Sequence, residues 1–254
     1  MEPLAPVSPR LHGAVASYLA GGYARVRGMS SHFSAGVVAE LMAAQTAAGI
    51  AGGAVEIGTF EGRFFIAMAL CLETGEKIFG IDTFDWPDDH VEARLRANIA
   101  AEGAADGAHE IWRGQSSTVG HERILASLGG PARIIHVDGD HDAASLADDL
   151  ELAMACIRPD GLIVLDDMLS PIYPTLVMTV QGFLNAHSDW QVSCIIDRQT
   201  LSGAAKYVLA RRDMAANVAD WLHARMPDNV VVMGARFAGY EAPIVSATPE
   251  LPRF

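Results

Sequence analysis

Three aspartates close two short apolar runs in the middle of this chain, in a pattern suited to holding a cation. Residues 134–137 read Ile-Ile-His-Val and end in Asp138; residues 162–165 read Leu-Ile-Val-Leu and end in Asp166 and Asp167. Apolar runs separated by a stretch of helical periodicity read as buried parallel strands joined by a crossover helix. Neighbouring strand tips stand roughly 5 Å apart. Carboxylates that close repel unless one keeps a proton or a cation sits between them. A hard divalent ion, Mg²⁺ above all, resolves this by taking a few carboxylates and keeping its other positions for water and substrate. Asp138, Asp166 and Asp167 are therefore candidate metal ligands at the carboxyl edge of an α/β sheet. The alternative is that Asp166 binds nothing and Asp167 caps the following helix.

A second constellation lies upstream. Val55-Glu56-Ile57 runs into Gly58-Thr59-Phe60-Glu61-Gly62, a strand, a turn and a helix start. Gly58 lets a ligand approach the backbone, and Gly62 can open a helix whose unpaired N–H groups face an anion. The spacing E-x-G-x-x-x-G differs from the dinucleotide G-x-G-x-x-G, which weakens a nicotinamide dehydrogenase reading. Alone, such a turn also marks plain strand–helix packing. Asp82 ends the next strand, where a carboxylate can accept two hydrogen bonds from ribose hydroxyls or else stand in solvent as a loop acid. Together the two features point to an adenosyl ligand.

These groups need elements to bring them together. Residues 54–57 form a first strand, followed by the glycine turn and a helix over 63–72. A second strand at 77–81 delivers Asp82, and loop 83–90 leads into a charged helix at 91–101. Residues 110–112 make a short third strand, with Gly114-Gln115-Ser116-Ser117 as its exit and a helix to residue 128. The acid-tipped runs are the fourth and fifth strands, linked by a helix over 143–157 and a turn at Asp160-Gly161. After a helix ending near residue 187, stretches 190–196 and 205–210 are β-rich, and the short linker makes that pair antiparallel. A helix over 213–225 and a short strand at 230–233 belong to a tail that pattern alone does not place. Upstream, residues 1–12 hold three prolines and read as a loose arm. Helical spacing then runs from 12 to 48, broken by Gly21-Gly22 and by Gly28 to Ser31, with Ser34 capping a helix over 35–48. This leader can lie over the carboxyl edge as a lid, or simply cover the sheet. The expected division is a leader at 1–50, a core at 51–212, and an extension of the same domain at 213–254.

At 254 residues, half of them hydrophobic, the chain can build one sizeable core. A net charge of −13 argues against nucleic acid or an anionic membrane as partner. Cys71, Cys156 and Cys194 sit in apolar contexts without metal spacing, as reduced core residues of a cytoplasmic protein do. The first residues lack the basic and apolar regions of a secretion signal, and no apolar run reaches the length of a membrane span.

The motifs Val-Glu-Ile-Gly-Thr-Phe-Glu-Gly, Gly-Ile-Asp-Thr-Phe and Val-Asp-Gly-Asp-His … Asp-Gly-Leu-Ile-Val-Leu-Asp-Asp resemble the class I S-adenosylmethionine-dependent methyltransferases. Within that group they are most similar to the metal-dependent small-molecule O-methyltransferases. Those comprise the catechol type and the bacterial enzymes that methylate sugars of macrolide and aminocoumarin antibiotics. The likeness covers about residues 35–212. It implies a Rossmann-like seven-stranded sheet with an antiparallel last strand and helices on both faces. It also implies a cofactor site, with the methionine moiety against Glu56, Gly58 and Gly62 and with Thr59 and Phe60 in the same loop. The ribose would lie on Asp82 beside Thr83, adenine near Gln115 and Ser116, and Asp138 at the cofactor's edge. The family carries an acid at the position of Gln115, where a neutral amide can still bond the adenine edge. By the same carry-over Asp138, Asp166 and Asp167 hold the divalent ion. Asp167 matches the antibiotic-sugar branch, the catechol type having Asn there.

The chemistry so implied is methyl transfer from a sulfonium to a substrate hydroxyl positioned by the ion. His141, three residues after Asp138, stands where a general base reaches that hydroxyl. Asp140 competes for the role, and a solvated loop histidine is the alternative. His141 and Asp138 form the expected catalytic pair. Phe84, Trp86 and Tyr173 would shape an acceptor pocket unless they serve packing, and Asp85, Asp88 and Asp89 read as a solvated face that caps the next helix. The expectation is a cytoplasmic, magnesium-using O-methyltransferase. Its partner would be a small-molecule hydroxyl acceptor, a natural-product sugar or phenol, with self-association open and neither nucleic acid nor membrane involved. The rivals are a non-catalytic S-adenosylmethionine-binding partner or regulatory protein and a metal-independent methyltransferase.

Overall fold

Unbroken apolar runs become strands buried on both sides. In the computed structural model, which describes residues 8, 10–104, 108–199, 203–231 and 235–247, β1 (Ala54–Ile57) and β4 (Ala132–Val137) are buried at every position. Helices cover both faces of such strands. β2 (Ile78–Asp82) and β3 (His109–Arg113) lie on one side of β1, and β4 and β5 (Ile157–Met168) on the other, all parallel. β7 (Ala205–Arg211) is inserted antiparallel between β5 and β6 (Trp190–Ile196). This is the expected sheet with its antiparallel strand.

The sheet is longer than seven strands. Its order is β3-β2-β1-β4-β5-β7-β6-β11-β8, with β8 at Val230–Val231 and β11 at Ile244–Val245. The outer edge of β6 would otherwise be unpaired; its Ile195 and Asp197 N–H groups donate to the carbonyls of Pro243 and Val245. A separate hairpin joins β9 (Arg236–Phe237) and β10 (Tyr240–Glu241). Residues 232 and 233 of the expected strand lie outside the described residues, as do residues 1–7 and 9 of the proline-bearing arm.

Alternation along each strand sorts side chains between two cores. Ala54, Ile134, Val164 and Val208 face one core, which also holds α3 (His32–Ala47), α4 (Arg63–Ala69), α5 (Val91–Ala101) and α9 (Ala215–Arg225). Val55, Ile135, Leu165 and Leu209 face the other, under α6 (His121–Leu128), α7 (Ala143–Cys156) and α8 (Thr175–Ala186).

The leader joins the first core. α1 (Gly13–Ser17), a π-helical turn at Tyr18–Gly22 and α2 (Tyr23–Arg25) follow one another, so Gly21-Gly22 is absorbed rather than breaking the helix. α3 starts three residues earlier than expected. Ser31 is its cap, accepting from the Ser34 N–H, while Ser34 is buried and turned back onto the Ser31 carbonyl. Asp160-Gly161 is not a turn before a strand but part of a bulge within β5, whose pairing jumps from Ala132↔Ile157 to Ile134↔Leu162.

Arg133 is fully buried at the amino end of β4. Its five N–H donors reach the carbonyls of Met42, Gly52 and Cys71, the Thr46 hydroxyl and the Glu76 carboxylate. No helix among the described residues is long and apolar enough to cross a membrane.

Candidate active site

Strand order reverses between β1 and β4, and a cleft of about 1150 Å³ opens at their carboxyl ends. Period-two alternation puts Glu56, His136, Asp166 and Lys206 on the leader-side face, two residues beyond Ala54, Ile134 and Val164 and two before Val208. They form a continuous chain of contacts. His136 Nδ1 lies 2.9 Å from Glu56 Oε1 and its Nε2 3.0 Å from Lys206 Nζ. An ammonium only donates, so Nε2 accepts and the ring proton sits on Nδ1, shared with Glu56. Burial, then Lys206, holds His136 well below the ordinary histidine range, which keeps the ring neutral. Lys206 also donates to Ser30 Oγ at 3.2 Å and contacts the Asp166 carboxylate directly. Its three hydrogens are thereby all engaged. Phe64 stacks on His136 at 4.1 Å and presents its ring 4.8 Å from Nζ.

Ser30 spans two strand tips, 2.8 Å from Asp166 Oδ2 and 3.3 Å from Asp138 Oδ2. Asp166 Oδ1 accepts the Asp167 N–H at 2.8 Å. Burial opposes ionisation of Asp166, yet the Lys206 ammonium outweighs it and holds that carboxyl well below the usual range. Asp138 has no such partner, and burial and then Asp166 raise its carboxyl well above that range. Asp167 adopts φ +58° and turns toward α7, placing Oδ2 2.7 Å from His141 Nε2. The imidazole stacks on Tyr173 at 4.2 Å. The Asp167 bond raises His141 above the ordinary histidine value.

On the β1–β2 side, Asp82 accepts the N–H groups of Phe60 and Phe84, each at 2.7 Å. Glu56 Oε2 and Thr59 Oγ1 are buried without a hydrogen-bond partner among the described residues. Gly58 has φ +86°, and a Cβ there would sit 1.8 Å from the Asp138 carbonyl oxygen. Only glycine allows β1 and β4 to exit so close together.

Residues 55–168 match the family model of a methyltransferase domain. No curated protein matches the sequence significantly. Among solved structures, the O-methyltransferase from Bacillus cereus in complex with SAH aligns with a TM-score of 0.60 at 15% identity, over 80% of this chain and 93% of that one. TomG from Streptomyces achromogenes, an O-methyltransferase involved in tomaymycin synthesis and solved with SAM, gives 0.56 at 19% identity, over 80% and 91%. The SAH-bound methyltransferase PaMTH1 of Podospora anserina gives 0.53 at 14% identity, over 80% and 89%. Identities this low express a shared fold.

The cleft gathers most of the residues singled out in the sequence. Glu56, Gly58, Thr59, Phe60, Asp82, Thr83, Gln115, Ser116, Asp138, Asp140, His141, Asp166 and Asp167 all line the cleft, as do Trp86 and Tyr173. Two expected residues do not. Gly62 is glycine for packing, since a Cβ there would meet Leu95 at 2.4 Å. Phe84 is fully buried: its N–H is tied to Asp82, its φ is +54°, and its ring lies under Arg113. Asp88 caps the turn into α5 through the His90 N–H and pairs with Arg94.

The three aspartates are divided between two groups of donor atoms: Asp138 and Asp166 lie with His136, where Lys206, Ser30 and the Asp167 N–H already contact Asp166. Asp138 and Asp167 converge with His141, all donor atoms lying within 4.8 Å of one another. Two carboxylates beside open cleft suit a hard ion that keeps several waters. The structure therefore fits a divalent ion on Asp138 and Asp167, with Asp166 serving the internal ammonium. Ser30, His136 and Lys206 were not legible as site residues. A single histidine or lysine inside an otherwise apolar run, Ile-Ile-His-Val and Ala-Lys-Tyr-Val, was the available signal for the last two. Ser30 had none.

Proposed function

We propose that the chain is an S-adenosylmethionine-dependent O-methyltransferase acting on a hydroxyl of a small molecule, a natural-product sugar or phenol. One observation carries this reading. Buried unpartnered oxygens on the β1–β2 side share a cleft with a histidine–carboxylate pair on the β4–β5 side. Glu56 Oε2 suits the α-ammonium of the cofactor, Asp82 the two ribose hydroxyls, and Gln115 with Ser116 the adenine edge. The same-fold methyltransferases solved with SAH or SAM support that choice of cofactor.

The acceptor would enter past Met29 and Trp86, both largely exposed at the mouth, and lie against Tyr173 and His141. Because Asp167 engages Nε2, His141 Nδ1 takes the hydroxyl proton as the oxygen attacks the methyl carbon. The C–O bond forms as the C–S bond breaks, and the electron pair returns to sulfur as a neutral thioether. Asp138 and Asp167 would hold a divalent ion, Mg²⁺ by hardness, which when bound supplies polarisation of the acceptor oxygen. The leader acts as the lid: Ser30 seals the strand tips against water, and Tyr23 and Met29 wall the acceptor side.

Calorimetry with S-adenosylhomocysteine should give a Kd on the order of micromolar or tighter. Neither heat nor a thermal shift would remove the reading. With ¹³C-methyl-labelled cofactor and a panel of sugars and phenols, the label should appear on oxygen. A label found only on nitrogen would replace the O-methyl assignment.

A further inference from the structure

We infer that Asp149 reads the adenine of the bound nucleoside, its carboxylate accepting a hydrogen bond from the 6-amino group. This rests on the S-adenosylmethionine reading above. Asp149 lies on α7, not on a sheet-edge loop, yet it lines the cleft beside Gln115, Ser116 and Gly139. It is 2% exposed, and its Oδ1 is buried with no hydrogen-bond partner among the described residues. The exits of β3 and β4 both close on this carboxyl. From the first, Ser116 lines the cleft beside it and favours its charged form. From the second, Gly139 makes room, since a Cβ there would come within 2.8 Å of Asp149 Oδ2.

A buried acceptor with no donor is costly until one arrives. Burial pushes the Asp149 carboxyl up to about 6, against the opposing effect of Ser116, and Asp148, Asp140 and Asp142 add to the rise. A neutral, planar donor matches this acceptor, and the exocyclic amine of adenine offers two N–H bonds and no acceptor of its own. A guanine- or hypoxanthine-type 6-oxo group would instead set oxygen against oxygen.

Calorimetry should compare S-adenosylhomocysteine with S-inosylhomocysteine, in which a 6-oxo group replaces the amine. The wild-type chain should prefer the adenosyl ligand by roughly tenfold or more. Asp149→Asn, whose amide can donate to the 6-oxo oxygen, should bring the two affinities together or invert their order. Asp148→Asn, at the exposed neighbouring acid of the same helix, should keep the preference. Equal wild-type affinities overturn the inference without any variant. So does an unchanged preference in Asp149→Asn, or a preference lost as fully in Asp148→Asn, which would assign it to the general acidity of α7. A wild-type chain that binds neither nucleoside instead overturns the cofactor reading, and the inference with it.

Discussion

Lys206 shows how much one side chain can decide. It is 2% exposed, with every N–H engaged, among acids that would otherwise repel. Lys206→Met would leave Asp166 buried without its counter-charge, a loss of about 3–5 kcal/mol, to be read as a lower denaturant midpoint. An unchanged midpoint would mean that Asp166 finds a partner elsewhere. His141 makes a prediction of the opposite kind, in rate. Its pKa is raised by the Asp167 bond, and it must be unprotonated to accept a proton. The acid limb of kcat/KM should therefore lie above the ordinary histidine value, and Asp167→Asn should move it down while lowering the rate. A limb that stays put in the variant would assign the proton to another group. The stability sign runs the other way. The protonated pair contributes below the unfolded-state pKa and is lost as pH rises through the folded one, weakly because His141 is partly exposed. The acids themselves were legible, since each ends an apolar run. Their division of labour was not, because it depends on a lysine that arrives from a strand some forty residues later.

At the scale of elements, helices and strands with strong periodicity fell where pattern put them; α5 and β6 match residue for residue. Errors came where two local chemistries compete. Ser31 and Ser34 both suit an N-cap, and the buried environment of Ser34 settles it in favour of Ser31. Asp160-Gly161 has turn chemistry, but pairing on both sides draws it into β5 as a bulge. Phe84 looks like a pocket aromatic until the backbone bond to Asp82 turns it inward. The β1–α4 turn is the least tolerant element. Gly58→Ala forces a methyl group into the Asp138 carbonyl at a positive φ, so the exits of β1 and β4 must separate. Affinity for S-adenosylhomocysteine should fall by at least about tenfold, or 1.4 kcal/mol, by calorimetry on folded protein. Wild-type affinity would show that this turn yields more easily than its geometry implies.

For the whole molecule, the leader expected at 1–50 and the core expected at 51–212 pack against one another. Residues from Leu11 to Met42 share a core with α4, α5 and α9, and Arg133 ties α3 to β4. Deleting residues 1–50 strips the guanidinium of two acceptors, and the remainder should show no cooperative melting transition. A cooperative transition in that fragment would establish an autonomous core. Arg133 also has a mechanical consequence. It grips α3 near Met42 and Thr46, whereas the opposite end of that helix follows Ser30, and sixteen residues of helix span about 24 Å. The helix is thus a lever with its fulcrum at one end of the sheet and its tip over the other. Whatever admits an acceptor should swing that tip through an arc while the fulcrum stays still. Amide exchange along α3 should accordingly slow, turn by turn, from Phe33 toward Thr46.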